Sequence, residues 1–420
     1  MTRGKLPLGI QNFEELRKGG YLYADKTDMV WQIANGDKYN FLSRPRRFGK
    51  SLLVSTLQCY FEGKKELFEG LKIMELEKDW IKRPVIHFSM NLGGSDAESL
   101  YHYLDDTLTK YEEIYGKRAT EATLSNRFTG IIERAYQQSG EQVAVLVDEY
   151  DAPLQHSYLT DRHEKCRNLY RDFFTGLKDY GYCIKCVFLT GITKFTQISL
   201  FSVLNTLSNI SFYNCYATIC GLTKEEILEN LKDEIQALAA QKKWDIDQTM
   251  HELKDMYDGY HFSESLQGVY NPFSVISALK ERRLRPYWIA SGATEMLPKI
   301  LTNFEKDVET LDGSLIDMDY IETADISKDN PKLFLYQSGY LTIKGVIGET
   351  YRLGFPNREV KKALLELVVP NMLNANKEET EIASRHYADA YAASKKKLIS
   401  LALVFDKENR GLIDWQEADK

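Results

Sequence analysis

One segment constrains this chain more than any other. An apolar run, Tyr39-Asn-Phe-Leu42, leads into Ser43-Arg-Pro-Arg-Arg-Phe-Gly-Lys50, and a helical pattern follows from Ser51 to Tyr60. In that pattern Leu52, Leu53, Thr56, Leu57 and Tyr60 fall at i, i+1, i+4, i+5 and i+8, one face of a helix. Strand, loop ending in Gly-Lys-Ser, and helix are the parts of a loop whose amides turn inward around a phosphate. Gly49 permits the tight turn, Lys50 is the phosphate cation, and Ser51 offers its hydroxyl to a magnesium ion. The helix N-terminus adds partial positive charge. Arg46, Arg47, Phe48 and Leu52 complete the expected nucleotide-contacting set. The regular pattern also asks for glycine where Arg44 stands. Gly-Lys-Ser alone therefore carries little weight, and its setting between strand and helix carries more. For Arg44, Arg46 and Arg47 the residues leave phosphate contact, partner contact and plain solvation open.

A second element completes the first. Val143-Ala-Val-Leu-Val147 is the strongest strand signal in the chain, and it ends in Asp148-Glu149-Tyr150-Asp151. A buried strand ending in two acids suits a magnesium polyphosphate: Asp148 would hold the metal through water, and Glu149 would orient and activate the attacking water. Thr190 closes the next strand, where a hydroxyl is placed to sense a γ-phosphate. Thr193 and Lys194 are rivals for that role, and a strand-end cap explains Thr190 equally well. The expected ligands are ATP and Mg²⁺.

Around these motifs, strands alternate with helices. Pro84–Ser89 and the run ending Val187–Thr190 read as strands; 98–115, 124–138 and 164–181 read as helices. That alternation predicts βαβ units and a parallel sheet flanked by helices, an α/β P-loop NTPase fold, over 1–222. The first 35 residues read as a preamble with a short helix from Asn12. At Thr223-Lys-Glu-Glu226, a capping-box signature, the character turns helical. Asn271-Pro272 starts a further helix, and 333–355 reads as a helix end plus a hairpin. Residues 223–355 are thus expected to form a mostly helical, winged-helix-like region, and 356–420 a small remnant with a polar helix at 378–396 and a strand at 398–405.

Composition excludes some classes. The net charge of −7 argues against a surface coated for nucleic acid, although a local basic groove would survive that average. The start has no signal-peptide core, and no run approaches the ~20 apolar residues of a membrane span, so a cytoplasmic protein is expected. Cys183 and Cys186 form a C-x-x-C within an apparent buried strand. No second pair or nearby histidines complete a site, and structural thiols are expected.

Several segments together resemble the bacterial AAA-ATPase-like family: Leu6-Pro-Leu-Gly-Ile10, Tyr23-Ala-Asp-Lys-Thr27, Ser43-Arg-Pro-Arg-Arg-Phe-Gly-Lys-Ser51, Val147-Asp-Glu-Tyr-Asp-Ala-Pro-Leu154, Leu189-Thr-Gly-Ile-Thr-Lys-Phe195, Tyr257-Asp-Gly-Tyr-His-Phe262 and Val269-Tyr-Asn-Pro-Phe-Ser274. The resemblance covers about residues 5–370. It implies that the arginine-rich loop is the family's normal phosphate loop and that a helical and winged-helix region follows the α/β core, as in archaeal and STAND-like ATPases. Many members end in a PD-(D/E)XK-type nuclease domain. Here His386–Tyr391, Lys396–Phe405 and Ile413–Trp415 resemble its closing segment, while the strands that would carry the metal ligands are missing, so no nuclease activity is expected. Glu378, Glu379 and Glu381 read as a solvated helix face.

Two functions fit: an ATPase coupling hydrolysis to domain movement, or a non-hydrolysing ATP switch that recruits a partner through its helical region. The resemblance also raises homo-oligomerisation, with Arg162, Arg167 or Arg171 as a transition-state arginine, and a DNA partner contacted by Tyr260, His261, Arg282, Arg283 and Arg285.

Overall fold

Strand β3, Val143–Asp148, is buried at every position. It lies inside a sheet covered on both faces, which is why its sequence is an unbroken apolar run. The computed structural model describes residues 4–195, 207–288, 296–301, 308–326, 330–364, 400–405 and 412–418. With β1 (Tyr39–Ser43), β2 (Val85–Ser89), β4 (Ile184–Gly191) and β5 (Ser208–Asn209), β3 forms a five-stranded sheet in the order β2-β3-β4-β1-β5. Every pairing is parallel. This is the expected α/β architecture.

The order matters for the site. β4 is intercalated between β1 and β3, so the loops leaving β1 and β3 stand two strand spacings apart, about 10 Å. Register aligns their ends, with Ser43 opposite Gly191 and Val147 opposite Leu189. Both chemical motifs therefore emerge at the carboxyl edge of one sheet, where open α/β sheets take their ligands.

The helix after β1 spans Lys50–Phe61 and packs with helices Thr27–Asn35 and Phe13–Lys18. The preamble is thus part of the body: Phe13 is fully buried, its ring 4.9 Å from Phe68 and 5.3 Å from Tyr23. Helices Ala97–Tyr115, Leu124–Ser139 and His163–Phe174 form a second packed group. There Phe128 stacks on Phe173 at 4.8 Å and meets Phe88 of β2 edge-on.

After Leu222 the chain turns helical, and the Thr223 capping box closes at both ends with Glu226. Helices Lys224–Asn230, Lys232–Lys242, Ile246–Tyr257 and Pro272–Glu281 enclose their own core of Ile227, Leu238, Leu253, Val275 and Leu279. The described residues between 296 and 364 belong elsewhere. Helix Pro331–Ser338 and the antiparallel sheet β6-β8-β7 (Leu315–Asp317, Thr350–Gly354, Thr342–Ile347) share one continuous core with the parallel sheet. The stretch 223–355, read from sequence as one region, is therefore divided between two cores. β9 (Ser400–Phe405) and β10 (Leu412–Ala418) pair as an antiparallel hairpin. The polar helix at 378–396 with Glu378, Glu379 and Glu381, and the nuclease-like His386–Tyr391, lie outside the described residues.

Candidate functional site

Arg44, standing where the phosphate-loop pattern asks for glycine, turns away from the loop's interior. Its buried guanidinium donates to Ser43 O, Ser211 O and Tyr216 O, each at 2.9 Å, and lies 4.2 Å over the Phe262 ring. Carbonyls meet both terminal nitrogens of the buried cation and a ring face covers it, only Nε being left without an acceptor, so Arg44 is committed away from phosphate and partner. Phe48 is the second anchor. It is wedged edge-on between Tyr260 (4.8 Å) and Phe262 (5.5 Å), and its carbonyl accepts from Gly221 N. Between these anchors the backbone reverses through Arg47 (φ 66°) and Gly49 (φ 95°), the latter beyond the range comfortable for a side chain. Trp288 Nε1 donates to Arg46 O at 3.2 Å, and Gly339 sits so close to Pro45 that an added Cβ would fall 2.6 Å from Pro45 Cβ. The loop is held from its root and from its back.

Lys50 Nζ donates to Arg44 O (2.9 Å) and Pro45 O (3.0 Å). Burial pulls its pKa down, opposed by the charges of Glu149, Asp148 and Asp151. The acidic turn is therefore within electrostatic reach of the loop lysine. Asp148 is buried at the end of β3, and its Oδ1 has no hydrogen-bond partner. Such an oxygen is costly unless a cation or donor meets it. Glu149 sits at φ 50°, and burial, then the neighbouring Asp148 and Asp151 charges, hold its carboxyl above the ordinary value. A raised carboxyl is a better proton acceptor.

Asp151 has a different task, one that sequence reading did not assign. Its Oδ2 accepts from Ile192 N (3.0 Å), Thr193 N (2.6 Å), Thr193 Oγ1 (2.6 Å) and Gln155 Nε2 (2.5 Å). Gly191 leaves room for that carboxylate, since a Cβ there would lie 2.3 Å from Asp151 Oδ1. The acidic turn is thus riveted to the end of β4. The sensor expectation meets a physical obstacle here. Thr190 Oγ1 is fully buried and donates to Leu42 O (2.9 Å), and Thr190 is not in the cavity wall. Of the rivals, Thr193 is bound to Asp151, and Lys194 Nζ donates to Glu322 O.

A cavity of about 440 Å³ opens between these parts. Its floor is residues 46–53 with Glu149 and Asp151, so every expected loop residue, Arg46, Arg47, Phe48, Gly49, Lys50, Ser51 and Leu52, borders it. One wall is Pro7–Gln11 with Tyr23, Ala24 and Lys26; the opposite wall is Leu222, Pro272, Phe273 and Ile276. Lys26 pairs with Glu226 at 2.5 Å and ties the two walls together.

The family model described as "Predicted AAA-ATPase" matches residues 7–201. A protein of Azotobacter chroococcum mcd 1, named "Uncharacterized protein in vnfD 5'region", is 35% identical over 377 residues, 88% of this chain and 70% of that protein. The chain belongs to the AAA-ATPase-like family. Membership in that family implies nucleotide binding for this AAA-ATPase-like chain.

The wall from Pro7 to Lys26 was missed by reasoning from motif chemistry, because its residues form no recognisable catalytic or ligand-binding pattern. The signal was present in the family-like segments Leu6–Ile10 and Tyr23–Thr27. Two other expectations change. Tyr260 is fully buried, and His261 Nδ1 donates to Ile343 O at 2.8 Å, so both are framework residues rather than DNA contacts. Arg282, Arg283 and Arg285 are exposed. Arg162, Arg167 and Arg171 lie outside the cavity wall, each near a surface carboxylate: Asp96, Glu164 and Asp172. Cys183 falls in the turn Gly181–Cys183 just before β4, Cys186 lies on β4, and burial raises both thiols, Cys186 to about 12. No helix among the described residues is long and apolar enough to cross a membrane.

Proposed function

We propose that this chain is a magnesium-dependent ATPase whose nucleotide state sets the position of helices 224–281 against the sheet. The observation that carries the reading is a single cavity bordered by the phosphate loop, by Glu149, and by the first turn of helix Pro272–Glu281.

Loop amides from 46 to 51 and the Lys50 ammonium bind the β- and γ-phosphates, with Lys50 moving from its own loop carbonyls onto them. The apolar end between Ile10, Leu222, Phe273 and Ile276 is suited to the flat face of a base. Ser51 Oγ and Asp148 would hold the magnesium ion, and the unpartnered buried Oδ1 of Asp148 fits that role. The ion, when bound, supplies charge neutralisation on the phosphate oxygens. Glu149 orients a water molecule and accepts its proton as the oxygen closes on the γ-phosphorus. Asp151 keeps Glu149 in place by fixing the turn to β4. Release of phosphate then alters the contacts that Phe273 and Ile276 make through the nucleotide. The site calls for ATP as the cell's cytoplasm supplies it, and we place the protein there.

Titration calorimetry with ATP, ADP and GTP, paired with phosphate-release assays, tests the reading. Glu149→Gln should retain ATP affinity and lose turnover by about 10²-fold or more, the size of a general-base contribution. A wild-type chain that binds ATP and releases no phosphate would instead be a non-hydrolysing switch. Self-association and a DNA or protein partner, the exposed Arg282, Arg283 and Arg285 offering a contact, belong to the same proposal. Light scattering with and without ATP, and a salt-sensitive shift with duplex DNA, decide them.

A further inference from the structure

Four cations border the cavity: Lys26, Arg46, Arg47 and Lys50. Three have defined partners. Lys26 is paired with Glu226, Lys50 holds the carbonyls of Arg44 and Pro45, and the Arg47 guanidinium lies 4.9 Å over the Phe273 ring. Arg46 differs. Its backbone is clamped by Trp288, yet its guanidinium has no carboxylate within ion-pair distance among the described residues. Arg46 and Glu149 border the same cavity. A fixed backbone and an uncommitted, half-buried fork near Glu149 are what a group needs to meet charge that develops only during reaction.

We propose that Arg46 is the transition-state arginine of this ATPase, supplied in cis by the chain's own phosphate loop. The inference rests on the hydrolysis reading above. In the step, the water oxygen bonds to the γ-phosphorus while the bond from that phosphorus to the β–γ bridging oxygen breaks. The electron pair of the broken bond leaves on ADP, and the water's proton passes to the Glu149 carboxylate. Negative charge spreads over the equatorial and bridging oxygens as this happens. The Arg46 guanidinium donates to those oxygens from beside the transferring group, and its planar fork meets two of them together, which an ammonium does not. Arg47 is unsuited to the task because its positive φ sends the side chain to Phe273, on the wall of helix Pro272–Glu281. P-loop enzymes take such a group either from their own chain or from a neighbouring molecule. Here the loop itself carries it, so turnover per chain should not depend on protein concentration.

The test compares wild type, R46A, R46K and R46Q by ADP and ATP affinity, by phosphate release, and by capture of ADP with magnesium and aluminium fluoride. R46A is expected to keep both affinities within about threefold, to lose phosphate release by roughly 10³-fold, and to lose the captured complex. R46K should recover little of either, and wild-type turnover per chain should stay constant through a dilution series. R46Q, which keeps the polarity and the aliphatic stem without the charge, carries the comparison if R46A melts early without nucleotide. The proposal is overturned if R46A releases phosphate at the wild-type rate, if its ADP affinity falls as far as its turnover, or if wild-type turnover per chain rises with concentration. A wild type that releases no phosphate sinks the hydrolysis reading and Arg46 with it; wild-type release with an unaffected R46A sinks Arg46 alone.

Discussion

The helices from Lys224 to Glu281 and the segment from Met296 to Leu364 both follow the parallel sheet, and they are attached to it by different means. The second merges with the sheet's core: Leu333, Leu335, Ile343 and Leu353 are fully buried in the same apolar cluster as β3 and β4. It also braces the phosphate loop from behind, through Gly339 against Pro45 and Tyr340 against Trp288, whose rings are 5.0 Å apart. The first keeps a core of its own and meets the rest through a few polar and edge contacts. Among them are the Lys26–Glu226 pair, the backbone bridge between Leu222 and Tyr270, the Arg47–Phe273 contact, the ion pairs of Arg358 with Glu252 and Asp255, and the Ser274–Glu359 hydrogen bond. Shared apolar cores do not slide without losing packing, whereas a separate core behind a short list of contacts moves as a unit. The cavity is bordered by the phosphate loop on one side and by Leu222, Pro272, Phe273 and Ile276 on the other.

Four experiments bear on that contrast. The largest effects should come from cavity-forming substitutions. Leu335→Ala and Leu253→Ala should each lower stability by about 2–5 kcal/mol. Hydrogen exchange should then show Leu335→Ala loosening the sheet and Leu253→Ala loosening only helices 224–281. Uniform loosening by both would break the distinction.

Next is Glu359, which joins the two regions. Its Oε1 accepts from Tyr287 N and Trp288 N, and its Oε2 accepts from Ser274 Oγ. Burial raises its carboxyl from the ordinary 4.5 to about 7. The folded state therefore holds the proton more tightly than the unfolded chain. Its stabilising share is complete below the unfolded value and is lost as pH rises through about 7. Glu359→Gln keeps the acceptor and a donor toward Ser274, so it should melt higher than wild type at pH 8, by up to ~3 kcal/mol, with the difference vanishing near pH 4. A melt unchanged at pH 8 would mean that the junction is not strained by charge.

The interregion pair should matter less. Glu226→Gln leaves Lys26 buried without its partner and should cost about 1–3 kcal/mol. A double-mutant cycle with Lys26→Met isolates the coupling, and a coupling near zero would remove the pair as a latch. The smallest effect is expected at Asn271, whose side chain caps helix Pro272–Glu281 by accepting from Ser274 N at 3.1 Å. Asn271→Ala should cost about 1 kcal/mol in melting experiments and weaken ATP binding modestly.

Local physics made the elements legible. The apolar run of β3, the αL turn at Gly49, the Thr223 capping box and the Asn271–Pro272 helix start are written in neighbouring residues, and each stands where the pattern indicates. The gathering of the loop and the acidic turn followed from the βαβ alternation, since parallel strands put their carboxyl ends on one edge. Partners at long range were not legible. Arg44 is the plainest case. A charged residue in a phosphate loop suggests a phosphate contact, yet its acceptors are carbonyls 167 and 172 positions along the chain.

What the sequence by itself determined was therefore the kind of site: a phosphate loop after one strand and an acidic turn after another, each specified by chemistry among its own neighbouring residues. Tertiary structure alone decided who surrounds it. It brought the Pro7–Gln11 and Tyr23–Lys26 segments to one wall, turned Thr190 to the Leu42 carbonyl, riveted Asp151 to β4 and set Arg46 and Glu149 on one cavity. The reason is that a hydrogen bond or a packing contact belongs to two residues, and only folding selects which distant partner completes each one.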